Sequence, residues 1–248
     1  MATVNKSAAL PDPRQAPVLR RDSDLPAVCN STLSADALRQ RFAHPPLWTP
    51  EHSAEPRLSS LPGNRPLAEA AVLLGLVQRP HGWTVLLTER ASTLNTHSGQ
   101  IALPGGRKDA GDMDAAATAF REAEEEIGLQ RMDNQVHVTV LGTLPLYTTG
   151  SGFAITPVVA LIEPQGNALL RLKADPAEVA AIFEVPLAFL MNPAHHRHHT
   201  ADWDGHQRHW LSMPYQDESA GEERYIWGAT AAILRNFYRF LSTAATSR

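Results

Sequence analysis

A single cysteine, Cys29, in 248 residues has nothing to pair with, so an intrachain disulfide and a multi-cysteine zinc site are both excluded. That usage fits a reducing compartment, and the cytoplasm is the expected location. Charge of one sign is scarce as well: the formal net charge is -4, so no overall positive field exists to hold a nucleic-acid backbone, and no nucleic-acid partner is expected. No apolar run approaches the roughly 18 residues that a membrane span needs. The stretch holding Pro11, Pro13, Arg14, Arg20 and Arg21 has no continuous apolar centre, as expected of a chain with neither secretory signal nor membrane anchor. Internal repeats are missing too. What is present is an ordinary globular balance, 43% hydrophobic and 19% charged, enough for a packed core.

Residues 1–65 are rich in proline, serine and charge, with one short helical pattern from Ser34 to Phe42. They read as a partly irregular N-terminal arm ahead of a domain spanning 66–245. The apolar runs Ala71–Val77 and Trp83–Leu87, split by Pro80-His81-Gly82, predict a hairpin, and Gln100–Leu103 a third short piece. Met113–Ile127 has no internal proline or glycine; Asp112 is placed to cap this helix and Gly128 to end it. Val136–Leu144 and Ala154–Ile162 read as strands, Pro176–Leu190 as helix followed by a loop around Pro186, and Asp202-Trp203-Asp204-Gly205 as a hairpin turn. A final amphipathic helix from about Gly228 to Ser242 reads as a core or dimer element, which brings a homodimer among the expected assemblies. Its Arg235 and Arg239 make only a thin basic edge. Strands flanking an internal helix without a regular βαβα repeat predict an α/β architecture of the α+β kind, a mixed sheet with helices packed on it.

The chemistry concentrates on the internal helix. Each helical residue turns by about 100°, so with Glu122 at zero, Glu125 falls at about -60° and Glu126 at about +40°. Ala116, Phe120, Ala123 and Ile127 gather between about +100° and +160°, while Glu124 points away. Three carboxylates therefore converge beside the stripe to be buried. A solvated acidic face is the bland alternative, but Glu122 and Glu126 repel at i, i+4, and acids at a helix C-terminus oppose its dipole. A bound divalent cation resolves both conflicts, since hard ions such as Mg2+ or Mn2+ take carboxylate and carbonyl oxygens. Glu122, Glu125 and Glu126 are the candidate ligands. Gly105-Gly106 ahead of the helix lets a peptide carbonyl, that of Gly106, approach such an ion.

Gly106, Asp112 and then Arg121-Glu122-Ala123-Glu124-Glu125-Glu126-Ile127-Gly128-Leu129 resemble the signature of the Nudix hydrolases. Asp112 where the general pattern has Glu, and the longer interval to Arg121, resemble one branch, the coenzyme A pyrophosphatases. Leu86–Ala91 followed by Gly99–Gly106 is similar to the extra motif that branch carries before the box, with Asn95 in place of its usual Arg and Leu103 in place of its usual Phe. The resemblance implies a Nudix-like mixed sheet sandwiched between helices. It also implies metal-dependent hydrolysis of a pyrophosphate bond in a small nucleotide substrate, with coenzyme A or an acyl derivative favoured. Glu122 and Glu125 are then the catalytic carboxylates, with Glu122 a candidate general base. Asp112, Arg121 and Gly128 are structural members of the motif, Arg121 as partner of a nearby acid. Arg90 and Gln100 are candidates for meeting phosphate or nucleotide. Glu178 is an additional acid able to complete the metal shell or supply a base; an exposed helix-start acid is the equal alternative. Other readings are hydrolysis of ADP-ribose or a dinucleotide, for which Asn95 speaks, and a non-catalytic binding module, against which the intact carboxylates speak. The histidines His195, His196, His198 and His199, with His206 and His209, lack a local carboxylate or cysteine pattern and read as a solvated or strand-alternating polar segment rather than a metal site.

Overall fold

Along the chain, β1 (Val18–Arg21) and α1 (Ala35–Ala43) precede a hairpin whose strands, β2 (Ala68–Arg79) and β3 (Gly82–Arg90), are the apolar runs on either side of Pro80 and His81. The short strands β4 (Ile101–Ala102) and β5 (Gly105–Arg107) lead into α2 (Ala115–Ile127), followed by β6 (Val136–Thr143), β7 (Tyr147–Thr148) and β8 (Phe153–Pro164). Then come β9 (Val179–Pro186), the single turn α3 (Leu187–Leu190), β10 (Arg197–Trp203), β11 (His206–Asp217), β12 (Glu222–Trp227) and α4 (Gly228–Ser242). The computed structural model describes residues 12–52, 54–55, 66–92, 99–131, 136–165, 171–203 and 206–244. Asn95 and the turn residues Asp204 and Gly205 lie outside the described residues, as does the side chain of His206.

The larger sheet has 8 strands in the order β4-β3-β2-β8-β6, with β9 beside β3, β5 beside β2 and β7 beside β8. β2 and β8 run parallel and the other pairs antiparallel, which makes the sheet mixed. Both central strands are covered on two faces, which is why each reads as a near-continuous apolar run rather than an alternating one. On one face α2 packs Ala119, Phe120, Ala123 and Ile127 against Ala71, Leu73, Val158 and Ala160. On the other, α4 brings Ile233, Leu234, Phe237 and Phe240 against Leu74, Leu76, Val159 and Leu161. The mixed α+β sandwich expected from the sequence is the fold found. β1-β10-β11-β12 form a separate 4-stranded antiparallel sheet that adds Leu211, Met213 and Ile226 to the second core.

The described part of the N-terminal segment covers the remaining side of α4. Leu38 of α1 is fully buried, Phe42 and Trp48 pack at a tilt with ring centroids 4.8 and 5.5 Å from that of Phe240, and Arg41 donates to the carbonyls of Leu241 and Thr243. As a result α4 is buried almost all round, Arg235 and Asn236 included, and its expected basic edge is reduced to the half-exposed Arg239. Buried Arg235 is matched by Asp22 at 3.0 Å and Glu51 at 2.8 Å, both from the N-terminal segment.

Three expectations need correction. Asp114, not Asp112, caps α2, accepting from the backbone N–H of Ala117 at 2.7 Å, so Met113 and Asp112 stay in the preceding loop. Residues 179–186 form a strand along β3 where a helix was read, because the start signal at Pro176 belongs to a turn over 176–178. Glu178 is thus a turn residue and not a helix-start acid. Of the histidines, His198 and His199 lie on β10 and point to alternate sides; the solvated alternative fails for His196 and His199, which are buried and bonded to the Leu190 carbonyl and the Ser212 hydroxyl, while His209 is exposed.

Candidate active site

Gly128 adopts the left-handed conformation, φ 68°, and ends α2 one turn after its acids, where they line up beside β5. Exposure follows their angular order. Side-chain exposure is 5% for Glu126, 16% for Glu122 and 60% for Glu125, so the acid nearest the buried stripe is the most enclosed. Glu124 is exposed and faces away.

Two adjacent glycines make this burial feasible. Glu126 Oε2 accepts the backbone N–H of Gly105 at 3.1 Å, and the Glu122 carboxylate lies directly against the α-carbon of Gly106, in the space a side chain would fill. The box therefore grips the strand through one backbone donor and one missing Cβ. The Gly105 N–H is not legible in the sequence, because no side-chain pattern records a backbone donor.

Arg121 is the organising cation. It donates to Asp112 at 3.2 and 3.1 Å, to Glu125 at 3.0 Å and to the Arg107 carbonyl at 2.9 Å, and it pairs with Glu122 at 3.0 Å. Its hydrogen bonds hold the Asp112 carboxyl down at about 2 and raise its own pKa further above the usual arginine value. Asp112 thereby closes the loop before α2 onto the helix. Among the described residues, no three His, Cys, Asp or Glu side chains are close enough to grip an ion as they lie, since Arg121 stands between Glu122 and Glu125.

The inner acids carry excess negative charge. Burial pushes the Glu126 carboxyl up to about 7; the Gly105 N–H and Arg90 oppose the rise, and Glu122 and Glu178 add to it. Burial also raises Glu122, against the pull of Arg121, with Glu125 and Glu178 pushing the same way. Glu178, from the turn before β9, thus joins the site by its charge, and its carbonyl accepts the N–H of Ala91 at 2.8 Å. Arg90 points its Nη1 at Glu126 Oε1 from 3.8 Å, too far for a hydrogen bond, and its buried Nε has no protein acceptor among the described residues. The Gln100 carbonyl accepts from Arg90 N at 3.0 Å, which ties β4 to the same corner. Leu103 is 4% exposed within the α4-side core, so the leucine-for-phenylalanine difference there is one of packing. Buried carboxyls that repel one another and face one distant arginine suit a hard divalent cation.

Among the described residues, the histidines from His195 to His199 are engaged in packing and hydrogen bonds. His198 bonds Asp22 at 2.7 Å, His195 stacks on Phe189 at 4.0 Å, and His196 accepts from Arg235 at 3.0 Å, so His198 ties β10, and His195 and His196 the turn before it, to neighbouring segments.

The NUDIX domain family matches residues 67–220. A protein of Cronobacter sakazakii described as an uncharacterized Nudix hydrolase NudL is 38% identical over 209 residues, 83% of this chain and 94% of the relative. Its Escherichia coli counterpart, described in the same words, is 40% identical over 171 residues, 67% of this chain and 79% of the relative. Among solved structures, a Nudix hydrolase from M. smegmatis, RenU, aligns with 50% of this chain and 73% of its own at 25% identity and a TM-score of 0.37.

Proposed function

The chain belongs to the Nudix hydrolases, enzymes that cut pyrophosphate bonds in nucleoside diphosphate derivatives and generally use divalent metal, and from that premise we propose that it hydrolyses the diphosphate of coenzyme A or an acyl-coenzyme A. The products are adenosine 3',5'-bisphosphate and 4'-phosphopantetheine or its acyl form. The observation that carries this reading is the segment ahead of the box, Leu86–Ala91 and Gly99–Gly106, similar to the motif of the coenzyme A branch. Its support is positional: Arg90 from that segment faces Glu126, and Gly105 from the same segment holds it.

Glu122, Glu125 and Glu126, with the Gly106 carbonyl, would hold Mg2+ or Mn2+, with Glu178 as an additional acid. When bound, such an ion neutralises charge on the diphosphate oxygens and makes a water easier to deprotonate. Glu122 takes the proton of the attacking water at its carboxylate, and burial favours that because it has already raised the affinity of this group for a proton. Arg90 binds a phosphate oxygen through its guanidinium, whose Nε has no protein acceptor among the described residues. Gln100 orients the nucleotide beside it. Arg121 and Asp112 position the helix, and Glu125 contributes its oxygens from the rim.

The test is product analysis after separate incubations with coenzyme A, ADP-ribose and a dinucleotide, with Mg2+ or Mn2+ and with chelator. Release of adenosine 3',5'-bisphosphate from coenzyme A, abolished by chelator, is the expected result. Preferential cleavage of ADP-ribose or the dinucleotide would overturn the substrate and keep the metal chemistry. Absence of any hydrolysis would move the chain to the binding-module reading.

A further inference from the structure

A groove beside the box plays no part in the chemistry above. It is a cavity of about 420 Å3 at the start of β2 and the end of β5, and its charged lining is Glu69, Arg107, Lys108, Asp109 and Asp112. Most of those charges are matched. Lys108 Nζ meets Glu69 at 3.0 Å, and Asp112 is taken by Arg121. Arg107 and Asp109 remain: the Arg107 carbonyl is fixed by Arg121, but among the described residues no ion pair takes the Arg107 guanidinium or the Asp109 carboxylate. Alternation along β5 explains this for Arg107. Gly106 turns toward Glu122, so Arg107 turns to the opposite face and its charge is not consumed by the box. Its α-carbon is nevertheless only about 3.8 Å from that of Gly106, the residue on which the Glu122 carboxylate rests. An unmatched guanidinium on a rigid strand, one residue from the reacting centre, is a fork for an anion carried by the same substrate.

We infer that Arg107 holds a phosphomonoester that the substrate carries outside the diphosphate to be cut, so that the groove reads whether the adenosine ribose is phosphorylated. The inference rests on the coenzyme A reading and deepens it. Coenzyme A carries one such group, at the ribose 3' position, whereas ADP-ribose and simple dinucleotides carry none. The groove then supplies the discrimination between these substrate classes that the carboxylates, which meet the diphosphate common to all of them, cannot provide.

The experiment is equilibrium binding of two nucleotides, adenosine 3',5'-bisphosphate and adenosine 5'-monophosphate, to the full chain and to Arg107→Gln and Lys108→Gln. The unsubstituted protein is expected to bind the bisphosphate about tenfold or more tightly than the monophosphate, as a charge-assisted bidentate contact provides. Arg107→Gln should erase that difference by weakening only the bisphosphate, and Lys108→Gln should keep it. Equal affinities in the unsubstituted protein, or equal weakening of both nucleotides by Arg107→Gln, would overturn the assignment. Failure of the coenzyme A reading is seen separately, in turnover: a chain that cleaves coenzyme A without separating the two nucleotides loses the groove and keeps the substrate. One that separates them without cleaving coenzyme A keeps the groove.

Discussion

Two polar clusters in this molecule are built in opposite ways. The box on α2 brings like charges together: Glu122, Glu125 and Glu126 lie on one helix, and the inner pair is short of positive charge. The cluster behind α4 brings unlike charges together: Arg235 meets Asp22 and Glu51, and Asp22 also meets His198 and Arg20. Burial by itself would push the Asp22 carboxyl up, but His198, Arg235 and Arg20 together bring it below its ordinary value. One cluster is left unsatisfied and suits a ligand. The other is satisfied and holds chain segments together. Substitutions in the first should change turnover at constant stability, and substitutions in the second should do the reverse.

The largest effect is expected at Glu126. Glu126→Gln keeps an oxygen to accept the Gly105 N–H and removes a charge that burial disfavours, so the melting temperature should stay or rise. Turnover should fall by about a hundredfold or more, since a lost carboxylate ligand removes several kcal/mol of charge stabilisation in the transition state. Full activity with this substitution would remove Glu126 from the metal shell.

Next is Asp22→Ala, which strips the buried Arg235 of one of its two acids. Breaking a buried pair from one side costs about 3 kcal/mol or more. A chemical denaturation midpoint should therefore drop sharply, while turnover per folded molecule holds. If stability were unchanged, the N-terminal segment would be an appendage after all, as its composition suggested. The packing of this segment is hard to read in the sequence for a physical reason. α2 is legible because its signals are local: apolar residues three and four apart, acids on one arc, a glycine at the end. In the N-terminal segment a few buried residues, Val28, Leu33 and Leu38, are diluted among prolines and charges. Its polar residues look solvated because their partners are far along the chain: Glu51 meets Arg235 across 184 positions and Asp22 meets His198 across 176. Asp112 was misplaced on a smaller scale. It sits where a cap could be, and its pairing with Arg121 nine positions on crosses a loop whose path no periodicity records.

A smaller effect separates the clusters by pH. Burial lowers the pKa of His196 from 6.5 to about 4, with Arg235 pushing the same way and the Leu190 carbonyl and Asp22 opposing. The unfolded chain therefore takes up a proton near pH 6.5 that the folded chain refuses until about 4. The contribution of His196 to the unfolding free energy should be flat above pH 6.5 and fall through that window, by about 2 kcal/mol at pH 5, while Glu126, raised to about 7, works in the opposite direction over the same range. His196→Asn, compared by denaturation at pH 7.5 and pH 5, should lose most of that slope. A slope unchanged in His196→Asn would assign it to other groups.

The smallest effect falls on two neighbouring glycines and tests the comparison within three residues of chain. At Gly105, φ is +150° and an added Cβ would meet the Val72 α-carbon at 2.6 Å, with the Ala71 carbonyl closer still. Both obstacles are backbone in the centre of the sheet and cannot move, so Gly105→Ala should cost folded protein. At Gly106 no positive φ is involved, and the obstacle is the end of the Glu122 side chain, with Oε1 at 2.7 Å from the added atom and the rest of the carboxylate nearer. A carboxylate at the end of a flexible chain can swing aside at little cost to stability. It then leaves the position from which it serves the water, and displacement of about an ångström is enough to lower turnover about tenfold, or about 1.4 kcal/mol of transition-state stabilisation. Gly106→Ala should therefore melt near the parent protein and turn over slowly, while Gly105→Ala melts early. Equal losses of stability in both variants would mean that Glu122 is locked by its surroundings as firmly as the backbone is, and the division between a site for ligand and a scaffold for chain would not hold at the box itself.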